Sequence, residues 1–185
     1  MNHADIIRRL HTALPRVRQW LEARLEESAQ QARPVSQTGF QRLAQSFPES
    51  VLARAKVVSV HKIPFPPLAQ MGLPELSGLE QLPRAGMTFK DTFFVQSSHQ
   101  TEALFAHELV HVIQWDRLGV DRFLLAYGVG LVRYGYEDSP LEQMAYALQK
   151  DFERGRMPPD VVTFVGQKTD EVWKQVAPAL GMQSV

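Results

Sequence analysis

His107 and His111 stand four residues apart, with Glu108 directly after the first, in the stretch from Phe105 to Gln114. Four residues along an α-helix turn through about 400°, so both imidazoles leave one face about 6 Å apart. That separation lets one ring nitrogen of each reach a single zinc ion at about 2.0–2.1 Å. Glu108 then points beside the metal, within reach of a bound water but not as a ligand. A carboxylate there can take a proton from that water and pass it to a leaving amine. This is the physical content of the H-E-x-x-H pattern. A bland reading also exists, a half-buried histidine pair beside a surface glutamate. On a helix this apolar, three unsatisfied polar groups would cost on the order of several kcal/mol, which favours the metal.

These side chains need a helix, and the sequence supplies one. The spacing predicts it from about Gln100 to Leu118, capped by Ser97 or Ser98 and stopped by Gly119. Val120 to Arg133 is apolar nearly all round and reads as a second, central helix. Ser139-Pro140 opens another to about Arg154, with Ser at the N-cap and Pro in the first turn. A last helix covers Asp170 to Leu180. Upstream, Val57 to Ile63 is β-branched and reads as a strand. Met87 to Val95 alternates weakly around Lys90-Asp91, as a hairpin or bent strand would. Between them run five prolines, Pro64 to Pro83, with no period. A loop of that length suits a cover over a cleft or an irregular surface wrap.

At the N-terminus, Ile6, Ile7, Leu10, Leu14, Val17, Leu21 and Leu25 recur at helical spacings within residues 4–32, with Pro15 expected to divide or kink the helix. A short helix is expected from Gly39 to Phe47, ahead of Pro48. The fold class that follows is α+β, mainly α. The organisation expected is an N-terminal helical segment, 1–50, and a domain over 51–185, together one compact unit.

The H-E-x-x-H helix, preceded by strand-like sequence, resembles the zincin metallopeptidases. The resemblance covers residues 85–155 and implies a small sheet whose edge strand lies within Met87–Val95, packed on the active-site helix. It also implies a peptide or protein substrate held along that edge. Gln114 and Arg117 occupy the positions where metzincins carry Gly and His, which excludes that branch. The gluzincin branch draws its third ligand from a later helix. Ser139-Pro-Leu-Glu-Gln-Met-Ala-Tyr146 is similar to the N/S-P-x-E-x-x-A-Y segment of small bacterial gluzincin-like domains, so the resemblance implies Glu142 as third zinc ligand, with Ala145 leaving room for the two helices to approach.

From the residues alone, other assignments stay open. Ser139 and Glu142 form a capping-box pair, which would turn the carboxylate back onto its own helix. Glu137, Asp138, Asp116 and Asp121 are further candidates, as ligands or as partners that fix a histidine tautomer. An oxyanion donor is sought among Tyr127, Tyr134, Tyr136 and Tyr146, and Tyr146, one turn past Glu142, reaches the site most simply. His61 and His99 read as non-ligands and Trp115 as core.

Composition excludes several classes. Twenty basic residues balance twenty acidic ones, which argues against a nucleic-acid binder working by phosphate neutralisation. The absence of cysteine removes disulfides and thiolate sites. No run of 18 apolar residues spans a bilayer and no secretory signal is readable, so a cytoplasmic protein is the default expectation, with leaderless export leaving no trace. The expected activity is zinc-dependent peptide hydrolysis, with zinc held by His107, His111 and Glu142 and with Glu108 and Tyr146 catalytic. The rivals are a non-proteolytic zinc-binding module that grips a protein partner and a helical interaction protein with an accidental motif. Oligomeric state is not legible.

Overall fold

In the computed structural model, which describes residues 3–182, the N-terminal apolar stripe forms one helix, α1 (His3–Ser28), that runs through Pro15 instead of breaking there. Proline removes one backbone hydrogen bond. The burial of Ile6, Ile7, Leu10 and Ala13 before it and Leu21 after it, in one cluster with Phe123 and Val129, outweighs that loss. A two-residue strand, β1 (Arg33–Pro34), follows, then two short helices, α2 (Gln41–Ser46) and α3 (Glu49–Arg54). Helix α2 ends before Pro48 as its sequence predicts, and Pro48 is also the N-cap of α3, a helix the spacing does not predict.

Strand β2 (Lys56–Val60) leads into the proline-rich segment, which wraps the surface with one 3₁₀ stretch at Pro74–Gln81. The chain returns as β3 (Gly86–Phe89) and β4 (Thr92–Gln96), a tight hairpin turning at Lys90 with φ 57°. The sheet is mixed, in the order β1-β2-β4-β3: β2 and β4 run parallel, and β3 is an edge. Phe93 and Val95 face the cluster around Phe105 and Leu109, whereas Phe94 faces the cluster around α1. Both faces of β4 are therefore covered, and a doubly buried strand reads as a continuous apolar run. This explains the weak alternation of its sequence.

Helix α4 (Glu102–Tyr134) contains both apolar segments expected from the sequence, 102–118 and 120–134, interrupted at Gly119 (φ 71°, ψ 174°). Its cap is Thr101, whose hydroxyl accepts from the Leu104 N–H at 3.2 Å, in place of Ser97 or Ser98. Ser98 bonds the exposed ring of its neighbour His99 instead. The half buried all round is the first one, since 105–115 are all buried, and the second keeps Val120, Leu124, Tyr127 and Leu131 partly open. Helix α5 (Pro140–Glu153) lies against α4. Helix α6 (Val161–Val176) begins nine residues before the expected Asp170, capped by Asp160 on the Thr163 N–H at 3.0 Å. Its opening Val-Val-Thr-Phe-Val looks strand-like, and the burial of Val161, Val165, Thr169 and Val172 against α4 overrides that preference.

The architecture is thus mainly helical with a small mixed four-stranded sheet. Among the described residues no helix is long and apolar enough to cross a membrane. The backbone at Gly119 occupies a region that only glycine visits cheaply. Gly119→Ala, with open space around its new methyl, should lower stability by about 1–3 kcal/mol through backbone strain alone, read as a fall in urea midpoint at constant m-value.

Candidate metal centre

The first half of α4 passes beneath edge strand β3 and beside the start of α5, and four ionisable side chains meet where they cross. His107, Glu108 and His111 are 5%, 3% and 5% exposed, and Glu142 is 2% exposed. The two imidazole Nε2 atoms are 3.1 Å apart. Glu142 Oε2 lies 3.4 Å from His107 Nε2, and Oε1 lies 3.5 Å from His111 Nε2. Tetrahedral zinc with ligand bonds of about 2.0–2.2 Å would separate its ligand atoms by roughly 3.3–3.5 Å. These separations are of that order, with a different carboxylate oxygen facing each imidazole, and one atom from each residue lies within 4.8 Å of the others, a buried group that could hold a metal ion.

The surrounding bonds orient these donors. His111 Nδ1 meets Gln114 Oε1 at 2.8 Å, and the Gln114 amide nitrogen donates to the Leu141 carbonyl at 3.1 Å. An amide oxygen only accepts, so His111 carries a proton on Nδ1, and Nε2 is the ring nitrogen turned to Glu142 and available to an ion once it is deprotonated. Gln114 thereby ties one ligand helix to the first turn of the other. On the far side Tyr127 donates its hydroxyl to Glu142 Oε1 at 2.5 Å. Two donor-set atoms, His107 Nδ1 and Glu142 Oε2, are buried without a hydrogen-bond partner. An unfilled acceptor on Glu142, 3.4 Å from His107 Nε2, is what a cation would satisfy.

The capping box does not form. The Glu142 side chain turns toward the histidines, and Ser139 Oγ is buried with no partner. Gly130 permits this, because a Cβ there would lie 2.5 Å from Ser139 Oγ. Fully buried Ala145 sits on the α5 face turned to α4. The acidic alternatives face elsewhere: Asp116 pairs with Arg54, Asp121 with Arg18, and Glu137 and Asp138 are exposed near Gln143. Gln114 and Tyr127 take the orienting roles instead. The sequence carried a faint signal for Gln114, a polar residue one turn past His111 on an apolar helix.

Glu108 points the other way, toward β3. Thr88 donates its hydroxyl to Glu108 Oε2 at 2.6 Å, and Trp115 Nε1 donates to the Thr88 carbonyl at 3.2 Å. Gly86 allows the close approach, since any Cβ at that position would overlap the Glu108 carboxylate. Tyr146 lies with its ring 4.7 Å from that of His107. Tyr134 is exposed, as are His61 and His99, and Trp115 stacks on Phe123 at 3.9 Å in the core.

A cavity of about 110 Å³ opens from this centre, with His107, Glu108, His111 and Glu142 in its wall and Tyr136 beside them. Phe65 and Leu68 of the proline-rich segment line the same cavity, as does one face of α1.

The local field follows from burial and pairing. Burial pushes the Glu108 carboxyl up, against the pull of the two imidazoles. Burial alone would lower His111, but the Glu142 carboxylate outweighs it and raises His111 to about 9. Burial likewise opposes ionisation of Glu142, and the imidazoles overcome it, holding that carboxyl well below its ordinary range. Burial and the Glu142 charge push Tyr127 well above the usual phenol.

The chain matches no described protein family, no curated protein and no solved structure.

Two outcomes are expected. Gln114→Leu should weaken metal affinity by about 10–100-fold, measured by competition with a chromogenic chelator, and should also lower the urea midpoint of the metal-free protein, because His111 Nδ1 and the Leu141 carbonyl lose their buried partner. In chelator-treated protein, His111 contributes stability that is fully present below its ordinary 6.5 and is lost as pH rises through about 9. The raised Glu108 gives a slope of the same sign that begins above its ordinary 4.5, because the folded state holds its proton more tightly than the unfolded chain. Metal-free urea midpoints should therefore fall between pH 6.5 and 9, and a flat profile there would contradict this charge arrangement.

Proposed function

We propose that the chain is a zinc-dependent metallopeptidase of gluzincin type, in which His107, His111 and Glu142 hold the ion and Glu108 is the general base. The observation that carries the proposal is the buried group of His107, His111 and Glu142, with the two Nε2 atoms 3.1 Å apart and a different Glu142 oxygen 3.4 and 3.5 Å from each, set beside a buried glutamate that is not part of it. Imidazole and carboxylate donors suit zinc, which supplies an acidified water and polarises the scissile carbonyl. The chain's own groups do the rest. Glu108, in an environment that raises its proton affinity, takes the proton from the attacking water and delivers it to the departing amine. Thr88 fixes the carboxylate through Oε2.

Edge strand β3 supports the peptide part of the reading. In a two-residue hairpin the residues flanking the turn exchange hydrogen bonds, so Thr88 and Gly86 present their backbone groups away from β4. Trp115 occupies the Thr88 carbonyl. The Gly86 N–H and C=O and the Thr88 N–H remain to align an extended substrate next to Glu108. For the oxyanion, Tyr127 is committed to Glu142, which leaves Tyr136 and Tyr146. Tyr136 faces the cavity, with Tyr146 behind it against His107.

The near-complete burial of all four ionisable groups also suits a zinc-binding module that holds a partner without cleaving it. One set of variants separates the two readings. Purified protein should carry about one zinc per chain, and Glu142→Ala should lose it. Glu108→Gln should keep the zinc and lower peptide hydrolysis by about 10²–10⁴-fold. Zinc-loaded protein with no hydrolysis of denatured casein or peptide mixtures would favour the module, and absence of zinc after reconstitution would overturn both.

A further inference from the structure

We propose that residues 61–84 form a lid over the metal centre, latched by Arg9, and that substrate enters only when this lid lifts. As the chain stands, the centre is closed. His107, Glu108, His111 and Glu142 are at most 5% exposed, and Gly86 and Thr88, where an extended substrate would pair, are buried as well. No peptide backbone reaches groups so enclosed unless part of their cover moves. The cavity beside the centre has walls from α1, α4, β3 and this segment, which contributes Phe65, Pro66, Leu68, Leu73 and Leu76.

Hydrogen bonding decides which wall can move. Strand β3 is bound into the sheet, and α1 and α4 are long helices packed on each other. Residues 61–84 are bonded to themselves. Glu80 accepts from the Ala69 N–H at 3.2 Å, and the Leu73 N–H donates to the Leu68 carbonyl at 2.9 Å. Arg84 donates to the Leu79 carbonyl, and its guanidinium lies 4.0 Å from the centre of the Phe65 ring. Among the described residues, Arg9 alone supplies hydrogen bonds from the rest of the protein, one to the Gly72 carbonyl at 3.2 Å and one to the Glu75 carboxylate. What remains is apolar contact, with Ile63, Leu68 and Leu73 in the cluster around α1. Exposed residues flank the segment, His61 and Lys62 at one end and Gln81 to Pro83 at the other, where backbone rotation meets no packing. A segment held by a few apolar contacts and one side chain belongs to the low-stability part of a fold, from which lids are drawn.

The proposal deepens the metallopeptidase reading and rests on it for what the lid guards, not for the motion itself. The chain has no cysteine, so a single introduced thiol reports opening. Leu68→Cys, under the lid, and Val165→Cys, in the core of α6, are compared in the full chain by their rates of reaction with an aromatic disulfide. Leu68→Cys should react faster by about tenfold or more, and its rate should depend less steeply on urea, because lifting a lid exposes far less surface than unfolding. Arg9→Met, which keeps the aliphatic stem and removes both bonds, should speed that reaction by about 3–10-fold. Equal urea dependence for the two thiols, or no response to Arg9→Met, would overturn the proposal. For the guarding role, Arg9→Cys/Glu75→Cys is bridged by a bismaleimide with a disulfide in its linker. The bridged, zinc-loaded chain should give up its ion to a chelator about tenfold more slowly than the same chain after reduction, and hydrolysis of denatured casein should fall and recover alongside. One rate of zinc loss before and after reduction would overturn the guarding role. A chain that takes up no zinc would sink the metallopeptidase reading, while the thiol rates still decide the lid.

Discussion

Everything in this structure is arranged around two imidazole nitrogens held 3.1 Å apart in the half of α4 that is buried on all sides. Neither nitrogen can turn to water, so each must be satisfied by a proton, a carboxylate or an ion brought to it by the fold. That requirement fixes what approaches α4. Helix α5 must arrive with Glu142 aimed inward, which needs glycine at 130 and leaves Ser139 without its own partner. Gln114 must be buried, although an amide is an unfavourable core residue, because it holds both His111 and the Leu141 carbonyl. Burial of so many polar atoms is stable only because the group is mutually bonded, and partial satisfaction would be worse than none.

The same crossing separates two carboxylates by role. Glu142 faces the imidazoles and is kept charged by them, whereas Glu108 is turned to Thr88 and is dominated by loss of solvent. Two glutamates within one small centre thus acquire opposite proton affinities from their neighbours alone. Divergent environments of this kind are characteristic of sites that move protons.

Periodicity made much of the site legible in the sequence. A helical repeat puts His107 and His111 on one face whatever surrounds them, and the N-terminal position of Glu142 in α5 followed from Ser139-Pro140. The hairpin was legible because Lys90-Asp91 interrupts an apolar run. Features that depend on a partner distant in sequence were not. Thr101, not Ser97 or Ser98, caps α4 because the strand ends at Gln96 and a turn intervenes. The start of α6 was hidden because β-branched residues suit a strand until they are buried against α4. Tyr127 could be named as a candidate, but its bond to Glu142 depends on the break at Gly119. The closeness of Gly86 to Glu108 has no local signature.

The two edges of the sheet have a consequence for how the protein behaves among its own copies. One edge is β1, only two residues long and ending in Pro34, which has no N–H to offer. The other is β3, whose Thr88 carbonyl is already taken by Trp115 and whose flank is the wall of a cavity. An open strand is a template for the next molecule's strand, and chains that expose one tend to stack. Here the same tryptophan that shapes the cleft also blunts that template. The segment left open for backbone pairing is only a few atoms long, too short to seed a second sheet.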